Sequence, residues 1–365
     1  MERRGVSYLP LHYGKPPENL YRKMVTLTGQ ICTLISEIYS PKELVRRFSD
    51  PVWFHSLSLV TGFDWNSSGT TTTTIHALKD YLANHDEPFF ISGGKGKSMK
   101  LKSGEIENKS QHMQSASIAR RLIRESDYIA KIDSSLLQDG FDIYIHSLIA
   151  DYRGNYSVVQ QGLNADRRLA RRYHWSNLEE YNPVEEQRNG ITSATTVPSA
   201  LDLSSHLNAR IRQNMLRAIR EKPAIMQGSQ STLDNFSGSP VLNLGVRVPF
   251  EKLREIYEYE PSTIMDLVSF PGAGKSTIRA IAYISEVITG EKISMEDPVR
   301  YSYALGGKDG IPKPVDHEDY DMVIGFFREV LTAYGMDRSR IEDKIQKLAK
   351  FSSDQTEYVI KRQQE

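Results

Sequence analysis

A chain of 365 residues is long enough to build two or three separate cores. Its 46 Lys and Arg balance 46 Asp and Glu, so no global positive field draws it to nucleic acid, and any such contact must come from local clusters. No apolar run approaches the ~20 residues that cross a bilayer, no apolar run follows the basic start MERRGVSYLPLHYG, and the single Cys32 excludes an intramolecular disulfide framework, which together predict a cytoplasmic protein with no membrane partner.

From Pro17 to about Leu82 the apolar residues recur at three and four, as in LYRKMVTLTGQICTLISEIY, and Ser40-Pro41 restarts a helix with proline in its first turn. A helical N-terminal layer is expected there. FFIS then runs into Gly93-Gly94, which predicts a strand passing into a loop, and a further helix is expected over 115 to 131. FDIYIHSLIAD and YSVVQQG flank a turn holding Gly154 and predict two paired strands. Strict alternation along the first puts Phe141, Ile143, Ile145 and Ile149 on one face and Asp142, Tyr144 and His146 on the other. Asn, Gln, Ser, Thr and Pro dominate 181 to 207, a basic amphipathic helix is expected over 207 to 221, and a second polar stretch precedes a helical region from about Phe250. The expected architecture is α+β: residues 1–180 combine the helical layer with a small mixed or antiparallel sheet, 181–249 form a linker with the basic helix, and 250–365 form an all-α domain.

Four basic clusters interrupt the neutral chain: GGKGKSMKLK at 93 to 102, IARRLIRE at 118 to 125, DRRLARRYHW at 166 to 175 and ARIRQNMLRAIREK at 209 to 222. A nucleotide-binding loop and a backbone-gripping hairpin compete for SFPGAGKST, residues 269 to 277. The GxxxxGK[ST] phosphate loop needs glycine where Ser269 stands and a strand upstream, whereas Ile264, Leu267 and Val268 have helical spacing. A helix, the turn Phe270-Pro271-Gly272-Ala273-Gly274 and a second helix starting at Lys275 fit each position. Gly272 and Gly274 permit the tight turn, and Lys275, Ser276 and Thr277 add donors and charge where the positive end of a helix attracts phosphate. FPGAG resembles the LPGVG hairpin of the helix-hairpin-helix motif in DNA repair and recombination proteins.

GFDWNSSGTTTT, ISGGKGK, KIDSSLLQDGF, VVQQGLN, ARRYHW and ALGGKDGIPKPVD carry a resemblance, over most of the chain, to the family called domain of unknown function 763. That resemblance implies an architecture and a DNA-processing context and transfers no catalytic residue.

Phosphodiester hydrolysis uses divalent metals held by carboxylates, sometimes with histidine, beside basic residues. The candidates are Asp64, Asp133, Asp139, His146 and His174 as catalytic groups, with Asp64, Asp139 and His146 as ligands of Mg²⁺ or Mn²⁺. Lys95 and Lys97 in a glycine loop, Lys308 in a second GGK, and Arg171 and Arg172 join Gly272, Gly274, Lys275, Ser276 and Thr277 as candidate nucleic-acid contacts. The expected partner is single-stranded or branched DNA. Gln160 and Gln161 stand where the PD-(D/E)xK nuclease pattern needs a carboxylate and a lysine. A metal-dependent nuclease is therefore weighed against a helix-hairpin-helix glycosylase, with Asp297 beside the sugar cation and Ser276 in place of the lyase lysine, and against a non-catalytic structure-specific DNA-binding protein.

Overall fold

The computed structural model describes residues 18–61, 68–178, 188–193, 197–220 and 250–298. Four helices come first: α1 (Glu18–Ile38), α2 (Pro41–Phe48), α3 (Pro51–Val60) and α4 (Ser68–Leu82). The Ser40 side chain caps α2 by accepting from the Glu43 amide, and Pro41 occupies the first turn, where its missing N–H is not needed. Strand β1 (Phe89–Lys95) runs through Gly93-Gly94 without breaking there, and α5 (Lys97–Lys109) and α6 (Ala116–Lys131) follow.

A π-helical turn at Ile132–Leu136 and the short β2 (Leu137–Gln138) lead into β3 (Asp142–Asp151), β4 (Tyr156–Asn164), β5 (Leu169–Ser176) and β6 (Arg188–Ser193). These strands and β1 form one antiparallel sheet in the order β1-β3-β4-β5-β6. β2 pairs separately with β7 (Leu201–Asp202). The remaining described helices are α7 (Ala209–Arg220), α8 (Phe250–Tyr259), α9 (Ile264–Ser269) and α10 (Lys275–Thr289). The fold is α+β.

Both faces of the sheet are covered, which is why nearly every residue of β4 and β5 is buried. On one face Phe89, Ile91, Ile149 and Val159 pack with Leu44, Phe48, Phe54 and Leu78 of α2–α4. Cys32 belongs to this cluster as a buried apolar group, and burial raises its thiol pKa. On the other face Phe90, Leu148, Val158 and Trp175 meet Leu122 and Ile129 of α6. That second cluster continues without a break through Leu201, Ile211, Met215 and Ile219 to Leu253, Leu267, Ile278 and Ile281. Segment 201–220, expected inside a linker, thus supplies core residues, and α9 and α10 share a core with the sheet.

The alternation along β3 is interrupted. Directly opposed residues of an antiparallel pair share a face, and a bulge between Ile143 and Ile145 shifts the register against β4. Ile143 lies opposite Gly162 and His146 opposite Gln160, while Asp142 lies opposite Leu163. The extra residue therefore puts Asp142 and His146 on opposite faces, where unbroken alternation predicts one.

Candidate nucleic-acid interface

Thr263 starts α9 with a reciprocal capping box to Asp266, so the helix begins at a fixed residue. It ends at Phe270, and Gly272 turns the chain with φ 85°, a conformation that L side chains rarely adopt. A Cβ there would also lie 2.7 Å from Lys252 Cε. Gly272 and Gly274 are exposed, and a helix rather than a strand feeds the turn. The amides of Ala273 and Gly274 are spent inside the turn, on Phe270 O and Gly272 O. Gly274 caps α10 with no side-chain hydrogen bond, so the donors on offer are the first-turn amides of Lys275, Ser276 and Thr277. Ser276 is exposed, whereas Thr277 is buried and its hydroxyl turns back to Gly272 O at 3.4 Å.

Lys275 docks this turn on the sheet. Its Nζ lies 2.5 Å from Asp142 Oδ1 and 3.3 Å from Phe141 O at the start of β3, and its carbonyl accepts from Gln138 Nε2 at 2.9 Å. Arg279 of α10 reaches Gln138 Oε1 at 2.6 Å. The glycine loop after β1 sits at the same end of the sheet: Gly96 N donates to Tyr144 O, and Lys95 Nζ stands 5.7 Å from the Tyr144 ring centroid. So does the β4–β5 turn, because Asn164 Nδ2 donates to Gly140 O at 3.0 Å. Lys95, Lys97, Arg167 and Arg168 are all exposed.

The central candidates are buried instead. Asp133 is fully buried on the π-helical turn, and its Oδ2 accepts from Gln160 Nε2 at 2.5 Å and Trp175 Nε1 at 2.6 Å. With its amide nitrogen committed to Asp133, Gln160 offers Oε1 to His146 Nδ1 at 2.7 Å, so that nitrogen carries the proton. His146 Nε2 then accepts from Ser126 Oγ at 2.7 Å. The ring is neutral, and burial, with Lys102 adding repulsion, pushes its pKa down to about 3.

Asp139 and Arg171 form a second network on this face. Asp139 Oδ2 accepts from Arg171 at 3.0 Å and from Tyr173 Oη at 2.8 Å. Arg171 also forks onto Asp297, at 2.9 and 2.6 Å, and bonds Ser193 Oγ at 3.0 Å. Burial opposes the arginine's charge, but the Asp297 bonds and the Asp139 charge outweigh it and raise its pKa. Asp297, the residue weighed for a glycosylase, is 5% exposed and accepts from Val197 N as well.

The opposite face holds Arg172 and His174. Arg172 Nε donates to His174 Nε2 at 2.9 Å, which leaves Nδ1 to donate to Phe48 O at 2.9 Å. This ring is neutral too, its pKa lowered by burial and then by Arg172. Arg172 lies 4.7 Å from the Phe54 ring centroid, and Thr71 donates to Gln161 at 2.5 Å beside it.

Arg171 and Arg172 are therefore corrected as surface contacts. Both are fully buried because β5 lies inside a sheet covered on both faces. Among the described residues no group of three or more His, Cys, Asp or Glu is placed to hold a metal ion. Asp139 and His146 belong to separate networks and the ring nitrogens of His146 are both engaged, so these two do not fit an Mg²⁺ or Mn²⁺ site. Asp64 and Lys308 lie outside the described residues.

A family model described as "Protein of unknown function (DUF763)" matches residues 5–315. The chain belongs to the DUF763 family. No curated protein and no solved structure matches it.

In this DUF763 chain Lys95, Lys97 and Lys275, the accessible basic residues among the candidates, lie at the end of the sheet where α10 docks. Sequence reasoning included Lys95, Lys97 and Lys275 there and missed Asp142 as the partner of Lys275. It chose Arg171 and Arg172 over their neighbours Arg167 and Arg168. The signal that separates the pairs is local: Arg171 and Arg172 sit in β5 beside Tyr173 and Trp175, while Arg167 and Arg168 follow Asn164, whose Oδ1 accepts from the Arg167 amide at 2.9 Å. No described helix is long and apolar enough to cross a membrane.

Proposed function

We propose that this protein binds DNA through the sugar-phosphate backbone, with the turn at 270–274 and the first turn of α10 as its grip. The observation that carries the reading is the exposed, uncapped N-terminus of α10 behind two glycines, with Lys275 beside it. Backbone amides at a helix start, the positive end of the helix dipole and a lysine make a phosphate site that reads no base. The α9–turn–α10 unit matches the helix-hairpin-helix pattern in order and in its FPGAG turn, which supports the same reading. The non-catalytic reading is preferred to the nuclease because the described candidates Asp133, Asp139, His146 and His174 are buried and already hydrogen-bonded. It is preferred to the glycosylase because Arg171 and Val197 occupy Asp297.

Gly274→Asp tests it. The backbone at Gly274 (φ −88°, ψ −176°) is the extended conformation of a capping residue, and an added Cβ meets nothing within 4 Å. An aspartate there accepts from the first-turn amides itself and places a negative charge where phosphate would sit. The expected result is an unchanged or slightly raised stability, by a few tenths of a kcal/mol, with at least a tenfold loss of affinity for a branched or single-stranded DNA oligonucleotide. Unaltered affinity in a fluorescence-anisotropy titration refutes the reading.

A further inference from the structure

The phosphate grip does not stand alone on the surface. Three loops that are far apart in sequence meet at one end of the sheet. They are the β1–α5 loop with Lys95 and Lys97, the β4–β5 turn with Arg167 and Arg168, and the turn before α10 with Lys275. Register places them. Lys95 lies opposite Ile145 in β3, Asp142 opposite Leu163 in β4, and Asn164 opposite Leu169 in β5. The loops thus leave neighbouring strands at the same end, and Lys275 is tied to Asp142 between them. Exposed carboxylates here are Asp142 and Asp166, so five cations face two anions in a chain that is neutral overall.

We infer that this rim is a continuous track for the sugar-phosphate backbone of DNA, leading from the α10 grip across the sheet end to Arg167 and Arg168 on one side and Lys95 and Lys97 on the other. The inference rests on the DNA-binding reading and adds the surface that extends it. From β1 to β5 the sheet end spans three inter-strand spacings, roughly 14 Å, equal to the rise of about four base pairs along a duplex axis at ~3.4 Å each. Phosphates along such a path meet cations from both ends of the rim while α10 holds the middle. Buried groups keep the rim in shape. The Arg171 fork ties the Asp139 turn to the segment carrying Asp297, and the Phe141 ring lies 4.7 Å from the Arg171 guanidinium.

The experiment is a salt titration of the full chain against a 30-nucleotide single strand and the matching duplex. The variants are Lys95→Gln with Lys97→Gln, Arg167→Gln with Arg168→Asn, Gly274→Asp, and a control, Arg120→Gln with Arg124→Gln. Asn is chosen at 168 because φ is 52° there. The control residues are exposed on α6, whose first half lies by the β3–β4 turn at the opposite sheet end, where Arg121 bonds Gly154 O at 3.0 Å. Each rim pair should lower the slope of log K against log salt by about 1.8 on duplex, or about 1.4 on single strand, and weaken binding on the order of tenfold. The control should change neither, and the probe on which the loss reaches its own expected value identifies whether duplex or single strand follows the rim. Unchanged slopes in both rim pairs alongside a weakened Gly274→Asp would overturn the track and leave the α10 grip standing. Rim pairs that weaken binding while Gly274→Asp does not would keep the track and remove the grip. A control that loses as much slope as the rim pairs shows diffuse charge and overturns the track, and no binding of either probe by the wild-type chain overturns both.

Discussion

Arg171 shows how one side chain can hold distant parts of a chain together. It is fully buried and bonds Asp139 from the turn before β3, Ser193 from β6 and Asp297 from the segment after α10. Replacing it by alanine leaves two buried carboxylates without their cation, and loss of one partner of such a pair costs roughly 3–5 kcal/mol. Urea unfolding of Arg171→Ala should show a loss of that size, whereas Asp297→Asn, which keeps the shape and removes one charge, should lose less. Asp142 has the opposite character: its side chain is 86% exposed, and its contact with Lys275 is an ordinary surface ion pair. In the DNA-binding reading it competes with phosphate for that lysine. Asp142→Asn should leave stability within about 0.5 kcal/mol and tighten DNA binding about two- to fivefold, the equivalent of an exposed pair. Weaker binding by this variant would show that Asp142 positions Lys275 rather than masking it.

At the level of elements, the glycines near the end of β1 bring two strands close. Gly93 has φ 86°, and a Cβ there would lie 2.2 Å from the carbonyl oxygen of His146 in the neighbouring strand. Gly93→Ala must push β1 away from β3 and strain the backbone together, so a loss of roughly 2–4 kcal/mol is expected from thermal or urea unfolding. Gly96→Ala, with nothing within 4 Å of its Cβ, keeps only the cost of its backbone conformation (φ 59°, ψ −116°), about 1–3 kcal/mol. The helices of the N-terminal layer, α6 and the β3–β4 pair were legible because apolar spacing and turn residues both mark them. The bulge at 143–145 was not, since a single inserted residue leaves Ile143 and Ile145 looking like regular alternation while moving Asp142 away from the face of His146. Polar residues misled for a related reason. Gln160, Gln161, Arg171 and Arg172 have the composition of a wet surface, but each finds its partners in other residues between two helical layers, and only tertiary contact brings those partners in. The turn at 270–274 was the most readable part of the candidate interface, because its glycines and helix start lie within one short segment.

Across the whole molecule, the sheet is a septum with a neutral histidine locked on each side. His146 faces α6, His174 faces α2, and His55 of α3 is buried near Arg172. Burial lowers all three pKa values, those of His55 and His146 to about 3. An unfolded histidine takes up a proton below ~6.5, whereas these rings do not do so in the folded chain until the pH is far lower. The unfolded state therefore binds more protons as the pH falls through that window. The stability contributed by the neutral rings is complete above about pH 6.5, and it is lost progressively toward pH 3, where His55 and His146 would themselves titrate. Each should remove on the order of 1 kcal/mol by pH 5.5, so urea midpoints should drop clearly between pH 7.5 and 5.5. Because the rings sit in the layers on both sides of the sheet, the drop should appear as one cooperative transition moving to lower urea, with tryptophan fluorescence from buried Trp175 and far-UV circular dichroism shifting together. A midpoint constant over that range would mean that a charged form of these histidines is accommodated in the fold, and the neutral hydrogen-bond assignment through Gln160 and Arg172 would be wrong.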